Sequence, residues 1–246
     1  MTTVQHNEQS IFTWRHSDYA SHYFATEQPY LNAGLKQAVG PKALQIGTQI
    51  DQQLIDALEL PYLVRTTQYV QQNADLISDP AFLPFAPNSF AMVVLPHVLE
   101  RHSIPHQVLR EAHRVLMSEG HIVITGFNPT SLLGVQRFLR PKAVMQGRYY
   151  TVKRVTDWLQ LLGFEVVASA MFQYAPLSRR ARVMRSLRFL ESVGDRWLPM
   201  FGGGYMITAK KRDVGMNLVG RVRFRSSKPK LAAAVRASAP RSSKHS

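Results

Sequence analysis

The feature that most constrains the fold is an alternation of short apolar runs with segments whose apolar residues recur at helical spacing. Ser89 to Leu95 reads S-F-A-M-V-V-L, a continuous apolar run that is typical of a strand covered on both faces. Residues 103–116 instead carry one apolar helical stripe, with Ser103 as the predicted cap, Pro105 in the first turn and Gly120 just past the end. This alternation predicts an α/β fold of the doubly wound type, with a mostly parallel sheet and helices on both faces.

Further apolar runs extend the same pattern along the chain. The other predicted strands are 42–47, 62–67, 74–77, 121–126, 165–170 and 205–209. A further amphipathic helix is predicted to be capped by Thr151 and to end at Gly163. Ligands of such sheets bind at the carboxyl ends of the strands, near the point where the strand order reverses. The loops after residues 46, 67, 77, 95 and 125 are therefore the candidate site.

The composition is that of a globular chain, and the whole net charge of +14 lies toward the C-terminus. Residues 1–175 hold thirteen Lys+Arg and thirteen Asp+Glu, whereas residues 176–246 hold seventeen and three. No apolar stretch approaches the roughly 20 residues of a membrane span, and the polar start, Met1 to Ser10, lacks a signal core. The expected location is cytoplasmic. Since the chain has no cysteine, disulfides, thiolate metal sites and cysteine nucleophiles are excluded.

The basic C-terminal third has two open interpretations. Ser178 to Val193 combines five arginines with an apolar helical face, so it either binds an anionic partner or is a cap helix with a solvated arginine face. The composition of residues 213–246 predicts a disordered basic tail. Such a tail either contacts nucleic acid phosphates or an acidic membrane surface, or only keeps the protein soluble.

The most specific stretch of the sequence runs from Asp79 to Ile124. Its motifs, in order, are Asp79, Leu83-Pro84-Phe85, Ser89-Phe90, Val98-Leu99-Glu100, Leu109-Arg110-Glu111, Arg114-Val115-Leu116 and Glu119-Gly120. In this order and spacing they resemble the class I S-adenosylmethionine-dependent methyltransferases of the type 11 family, and the resemblance covers about residues 40–170. It implies a Rossmann-like seven-stranded sheet, S-adenosyl-L-methionine as cofactor, and methyl transfer to a small-molecule or macromolecular acceptor.

The resemblance also implies a set of cofactor-binding positions. Gly47 matches a glycine of the cofactor loop, where the missing side chain lets the backbone approach the ligand. Asp79 matches the residue that accepts a hydrogen bond from the adenine amino group, with the backbone of Pro80 and Ala81 beside that ring. Leu95 to His97 matches the loop beneath the methionine end. Because methyl transfer depends mainly on alignment, few catalytic side chains are expected.

Two positions depart from the family pattern. The cofactor loop reads Gly47-Thr48-Gln49-Ile50-Asp51 in place of Gly-x-Gly-x-Gly, and Thr67-Gln68 stands where the family has the acidic residue that holds the ribose hydroxyls. Only residues 68–73 separate the second and third predicted strands, too few for the usual crossover helix. These departures motivate the alternative of a non-catalytic methyltransferase-like scaffold, whose basic C-terminal third binds nucleic acid or acidic lipid.

Histidines 97, 102, 106 and 113 cluster within one short segment. His102 and His106 are one helical turn apart, a spacing that can bind a metal, but no third ligand accompanies them and no metal site is predicted. His97 follows the fourth predicted strand and is the candidate catalytic residue, as a general base or a substrate contact. The alternative is a hydrogen-bonded loop histidine.

Asn128 and Tyr150 are the candidate substrate residues. Asn128 follows the fifth strand, where it either orients a substrate group or stabilises a turn with Pro129. Tyr150, beside Tyr149, either forms part of a lid or packs in the core. The expected organisation is a helical extension at 1–39, a methyltransferase-like α/β domain at 40–212 with a cap insertion at about 176–203, and the tail at 213–246.

Overall fold

The computed structural model describes residues 18–37, 40–47, 62–68, 74–139, 147–176 and 199–212. Its helices are α1 (Asp18–Gln37), α2 (Pro105–Val115), α3 (Leu132–Leu139) and α4 (Val152–Leu161), with a short 3-10 turn at Pro199–Phe201. Its strands are β1 (Lys42–Ile46), β2 (Tyr62–Thr67), β3 (Leu76–Ile77), β4 (Phe90–Pro96), β5 (Leu116–Phe127), β6 (Phe164–Phe172) and β7 (Gly204–Lys211). Residues 48–61, 177–198 and 213–246 lie outside the described residues, and with them the predicted cofactor loop beyond Gly47, the predicted basic helix and the predicted tail.

The strands form one seven-stranded sheet in the order β3-β2-β1-β4-β5-β7-β6. Strands β1 to β5 pair with one another in parallel, and β7 lies antiparallel between β5 and β6. The expected doubly wound, mostly parallel, seven-stranded sheet is confirmed. The order reverses between β1 and β4, which places the topological switch point there.

Helices cover both faces of this sheet, as the apolar runs predict. Along β4, the side chains of Val93 and Leu95 pack into the core that contains α2 and α4. The side chains of Met92 and Val94 pack into the opposite core, beneath α1. Because β4 is buried on both faces over its whole length, it reads as an unbroken apolar run.

One predicted helix cap is confirmed and another is wrong. Thr151 caps α4, and its hydroxyl accepts the N–H of Arg154 at 3.3 Å. Ser103 does not cap α2, whose cap position is Ile104 with no side-chain cap hydrogen bond. The N–H of Ile104 instead donates to Nδ1 of His102 at 3.1 Å, and Pro105 has no N–H to satisfy.

The other differences concern the ends of elements. Helix α2 ends at Val115 and runs directly into β5, so Gly120 lies within that strand and does not close the helix. Strand β3 is only Leu76–Ile77, which lengthens the connection from β2 to residues 68–75. The two strands are nevertheless paired in parallel, Thr66 with Leu76 and Thr67 with Ile77.

None of the helices in the described ranges is both long and apolar enough to cross a membrane.

Candidate functional site

The carboxyl ends of β1 to β4 meet at a surface cleft beside the switch point. The cleft is lined by Gly47, Thr67, Gln68, Pro80, Val98, Arg101 and His102. Gly47 follows β1, Thr67 and Gln68 lie at the end of β2, and Pro80 follows β3. The other three residues follow β4, so the ends of four neighbouring strands meet at this cleft. This is where open parallel sheets bind ligands.

Asp79 is fixed at the β3 side of this cleft. Its Oδ1 accepts hydrogen bonds from the N–H of Ala81 at 2.8 Å, from Nε2 of His102 at 3.0 Å and from Nε2 of Gln68 at 3.3 Å. Since Nδ1 of His102 accepts the N–H of Ile104, the proton of a neutral His102 sits on Nε2 and points to Asp79. The carboxylate is therefore held in one orientation, while 46% of the Asp79 side chain stays exposed to solvent.

Gly47 has a backbone conformation that few other residues adopt. Its φ is +83°, its N–H donates to the carbonyl of Thr66 at 2.7 Å, and its carbonyl accepts Nε2 of Gln45 at 2.8 Å. A Cβ here would lie 3.2 Å from Nη2 of Arg101 and 3.3 Å from Cγ2 of Val98. Glycine therefore allows the end of β1 to pack closely against the loop that follows β4.

His97 lies beneath the cleft, 1% exposed and with φ of 50°. Its Nδ1 is 3.2 Å from Oε1 of Glu100 and its Nε2 is 3.2 Å from Oε1 of Glu27, a residue of α1. Burial lowers the pKa of His97, but the charges of Glu27 and Glu100 and their hydrogen bonds outweigh it and raise the pKa to about 9. A protonated imidazole cannot accept a proton, so this environment favours a structural role over that of a general base.

Glu100 joins three parts of the chain around His97. Its Oε1 accepts the N–H of Phe127 at 2.7 Å, and its backbone carbonyl accepts the N–H of Arg148 at 2.8 Å. The ring of Phe127 lies 4.3 Å from that of His97, centroid to centroid. Glu100 was part of a recognised motif, whereas the contribution of Glu27 had no local signal because it lies on a helix distant in the chain.

The side chains of the two other predicted cofactor residues, Leu95 and Ala81, are buried. Leu95 is fully buried in the core beneath α2 and α4, so its side chain does not reach the cleft. Ala81 is also buried, and its N–H is used by Asp79. The predicted contact of Ala81 with adenine would therefore be one of van der Waals packing.

The two predicted substrate residues are both buried. Nδ2 of Asn128 donates to the carbonyls of Met200 and Gly202 at 2.9 and 3.1 Å, and Oδ1 accepts the hydroxyl of Thr130 at 2.9 Å. The ring of Tyr150 packs edge-on against a tryptophan at 5.0 Å. These contacts favour the turn and packing alternatives for Asn128 and Tyr150.

The neighbouring Tyr149 stacks on Phe127 at 5.0 Å and lies 4.9 Å from the guanidinium of Arg137. Burial raises its pKa above the usual range. Among the residues that the structure places, no group of three or more His, Asp or Glu side chains is arranged to hold a metal ion.

Known proteins share this architecture and part of this sequence. Residues 39–124 match the model of a family described as a methyltransferase domain. The uncharacterized protein YafS of Escherichia coli (strain K12) is 34% identical over 161 residues, which are 64% of this chain and 63% of YafS. The chain thus matches less than two thirds of the length of that relative.

Solved structures resemble the fold at low sequence identity. An S-adenosylmethionine-dependent methyltransferase of Thermotoga maritima superposes with a TM-score of 0.57 at 14% identity, covering 85% of this chain and 96% of its own. A Haloferax volcanii protein, solved as a complex of a methyltransferase with the Trm112 activator, gives 0.55 at 13% identity, covering 80% and 94%. Together with the strand order, these similarities show that the chain has the fold of the S-adenosylmethionine-dependent methyltransferases and that residues 39–124 match a methyltransferase domain.

Proposed function

We propose that this protein binds S-adenosyl-L-methionine in the cleft at the ends of β1 to β4 and transfers its methyl group to an acceptor. The observation that carries the proposal is the fixed carboxylate of Asp79, which three hydrogen bonds hold at the β3 side of the cleft. The adenine amino group is a hydrogen-bond donor, and an oriented carboxylate is a matching acceptor. Asp79 would therefore bind the adenine end.

The remaining residues of the cleft fit the cofactor unevenly. Gly47 has a positive φ and no side chain, which suits a tight loop beside a ligand, but Arg101 and Val98 fill the space next to its Cα. At the ribose position, Thr67 is buried and the amide of Gln68 donates to Asp79. Within the described residues the end of β2 thus offers no carboxylate to the ribose hydroxyls, and we expect moderate affinity.

The chemistry requires alignment more than acid or base. When bound, S-adenosylmethionine supplies an electrophilic methyl group on a sulfonium, which a nucleophile must approach in line with the breaking carbon–sulfur bond. The loop after β4 is suited to that task because its His97 is held from both sides by Glu27 and Glu100. We propose that these residues position the loop and do not transfer protons.

Calorimetric titration of the full chain with S-adenosylmethionine and with S-adenosylhomocysteine tests the proposal. We expect saturable one-site binding of both ligands, with about tenfold weaker binding by the Asp79→Asn variant because the amide is a poorer acceptor. Asp157→Asn, a change of the same kind at an exposed position of α4, is the matched control and should bind normally.

Two results would contradict the proposal. The first is the absence of both heat and thermal stabilisation with either ligand at millimolar concentration. The second is equal affinity in the wild type and the Asp79→Asn variant. Binding to nucleic acid without any cofactor binding would instead support a non-catalytic scaffold.

A further inference from the structure

We propose that an exposed apolar patch at one end of the sheet docks this protein on an anionic lipid bilayer. The patch consists of side chains on α3 and in the 3-10 turn before β7: Leu132, Val135, Leu139, Met200 and Phe201. Helix α3 follows the carboxyl end of β5, and the turn precedes the antiparallel β7, so both lie at the same end of the sheet as the cleft. The inference goes beyond the proposed function and does not depend on it, because it concerns a different surface.

Helix α3 has two apolar sides, of which only one packs in the core. Leu133 is buried, and with the buried Gln136 it faces the rest of the domain. Leu132, Val135 and Leu139 are three and four positions apart, which places them along another side of the helix. Each of these three side chains is more than half exposed. This second side therefore contributes little to the core and is available for an apolar contact outside it.

Met200 and Phe201 extend the patch beyond α3, and each is more than half exposed. Their turn is fixed beside the start of α3 by two contacts. Nδ2 of Asn128, four residues before the helix, donates to the carbonyl of Met200 at 2.9 Å. Gly203 packs so closely on Leu133 that a Cβ there would collide with Cδ1 of the leucine. The two parts of the patch are thus held next to each other.

The charges at this end of the molecule are complementary to an anionic surface. Arg137 lies on α3, with its guanidinium 4.9 Å from the ring centroid of Tyr149, and the exposed Arg148 directly precedes that tyrosine. Glu27 and Glu100, which lie near this end, are buried beside His97. Between positions 119 and 157 the sequence has no acidic residue and six basic ones, namely Arg137, Arg140, Lys142, Arg148, Lys153 and Arg154.

The aliphatic character of the patch favours a bilayer over nucleic acid. Nucleic acids are bound through phosphate contacts and through stacking on aromatic rings, to which leucine and valine contribute nothing. A bilayer instead takes up protruding aliphatic side chains in its acyl region, while nearby arginines reach the headgroup phosphates. A patch of this composition, surrounded by positive charge, therefore fits an anionic membrane surface.

A fluorescent label tests insertion of the patch directly. Because the chain has no cysteine, the variant Val135→Cys carries a single thiol for a polarity-sensitive fluorophore. We expect its emission to shift to the blue on vesicles of phosphatidylcholine with phosphatidylserine. Leu161→Cys is the matched control, an exposed position at the end of α4, before the start of β6 and thus at the opposite end of the sheet. Its emission should not change.

Sedimentation of the full chain with the same vesicles measures the contribution of the patch to affinity. We expect at least about tenfold weaker binding when Leu132, Val135 and Leu139 are all replaced by glutamine, since the variant keeps every charge but loses the apolar contact. Leu161→Gln should bind as the wild type does. Binding of the triple variant to duplex DNA should also be unchanged, because its basic residues are intact.

The arginines give a separate measurement on the same vesicles. Arg148→Gln should weaken binding about fivefold when phosphatidylserine is present and leave binding to pure phosphatidylcholine unchanged. Arg110→Gln removes an exposed arginine of α2 and is the control. An effect of the same size in both variants would show that only the total charge matters and would count against docking at this end.

Four results would overturn the inference. The first is a wild type that does not bind the vesicles, and the second is an unshifted label at position 135 on vesicles that do bind the chain. The third is a lower melting temperature of the triple glutamine variant, because the patch would then be covered by another part of the chain. The fourth is a wild-type dimer that this variant loses without any change in vesicle binding, which would assign the patch to a second copy. Since none of these measurements needs a cofactor, their failure leaves the proposed function as it is.

Discussion

At the scale of single residues, the most informative side chain is His97. The sequence makes it a candidate catalytic residue or a hydrogen-bonded loop histidine, and in the structure it is enclosed by Glu27, Glu100 and aromatic rings and is 1% exposed. An ion pair that is buried this deeply contributes little net stability compared with an apolar core, but removal of one partner is costly. The three ionisable groups thus act as a unit that connects α1 to the loop after β4.

This unit predicts a loss of stability at alkaline pH. The ordinary pKa of histidine is 6.5, and the two carboxylates raise that of His97 to about 9. The protonated form therefore stabilises the fold; the contribution is complete below pH 6.5 and is lost as the pH rises through 9. We expect a decrease of about 3 kcal/mol in the free energy of unfolding across this range.

Urea denaturation at a series of pH values checks this prediction. Burial raises the pKa of Tyr23 and of Tyr149, so the tyrosines near His97 stay neutral over the range. Glu27→Gln removes one of the two charges and should reduce the decrease, whereas the exposed Glu165→Gln should not. Identical pH dependence in the wild type and Glu27→Gln would contradict the interpretation.

At the scale of elements, the ends of helices and strands carry the site. Helix α4 begins where the sequence predicts, because the Thr151 hydroxyl accepts a backbone N–H of the first turn. Helix α2 begins at Pro105, and the preceding residue, Ile104, has no side chain that caps the helix. The ring of His102 instead accepts the N–H of Ile104. A side chain that also binds Asp79 thus replaces the expected serine cap, and this couples the start of α2 to the cleft.

Asn128 gives a prediction at this scale. Its amide connects the end of β5 to residues 200 and 202, just before β7. Asn128→Ala leaves buried carbonyls without their donor, and we expect it to lower the free energy of unfolding by about 2 kcal/mol. Because the connection is structural, the affinity for S-adenosylmethionine should change less than about twofold.

Denaturation and calorimetry on the same Asn128→Ala preparation provide both values. Thr151→Ala is the matched control, because it removes one local hydrogen bond, and it should lower the free energy of unfolding by about 1 kcal/mol. If Asn128→Ala keeps its full stability but no longer methylates an acceptor, the residue belongs to the substrate site after all.

At the scale of the whole molecule, side chains at the end of β7 connect this strand to the rest of the described fold. Nζ of Lys211 reaches the carbonyls of His113 and Leu116 and Oδ1 of Asn88, and these bonds fasten the last strand to the loops around α2. Arg212 forms ion pairs with Glu119 and with an acid of β6. Every described element of the sheet is complete before the basic segment 213–246 begins.

Because the described sheet and its contacts end at Arg212, we predict that residues 213–246 can be removed without loss of the fold. We expect the truncated chain to keep its melting temperature and its affinity for S-adenosylmethionine. Binding of the full chain to duplex DNA, or to vesicles that contain phosphatidylserine, should weaken with salt and should fall on truncation, because the segment is rich in lysine and arginine. Unchanged binding after truncation would place the anion-binding surface elsewhere.

The local pattern of the sequence was sufficient for most of the fold and for part of the site. Strand β2 has the predicted ends, and the buried strand β4 is displaced by one residue at each end, since apolar periodicity is a local property. Gly47 and Asp79 could be predicted as cofactor-binding residues because each follows a strand and matches a motif, and that role stays a prediction. The place of Arg101 in the cleft could not be predicted, because a single arginine in a loop has no periodic or motif signal.

The sequence by itself determined the alternation of strands and helices, the two-sided burial of β4 and the methyltransferase block from Asp79 to Ile124. Only the tertiary structure decided that Glu27 and Glu100 enclose His97, that Asn128 fastens residues 200 and 202, and that Arg101 faces Gly47. The physical reason is the range of the forces involved. Periodicity and capping act within one turn or one strand, whereas the charge and hydrogen bonding of a buried side chain depend on partners that the fold brings from distant parts of the chain.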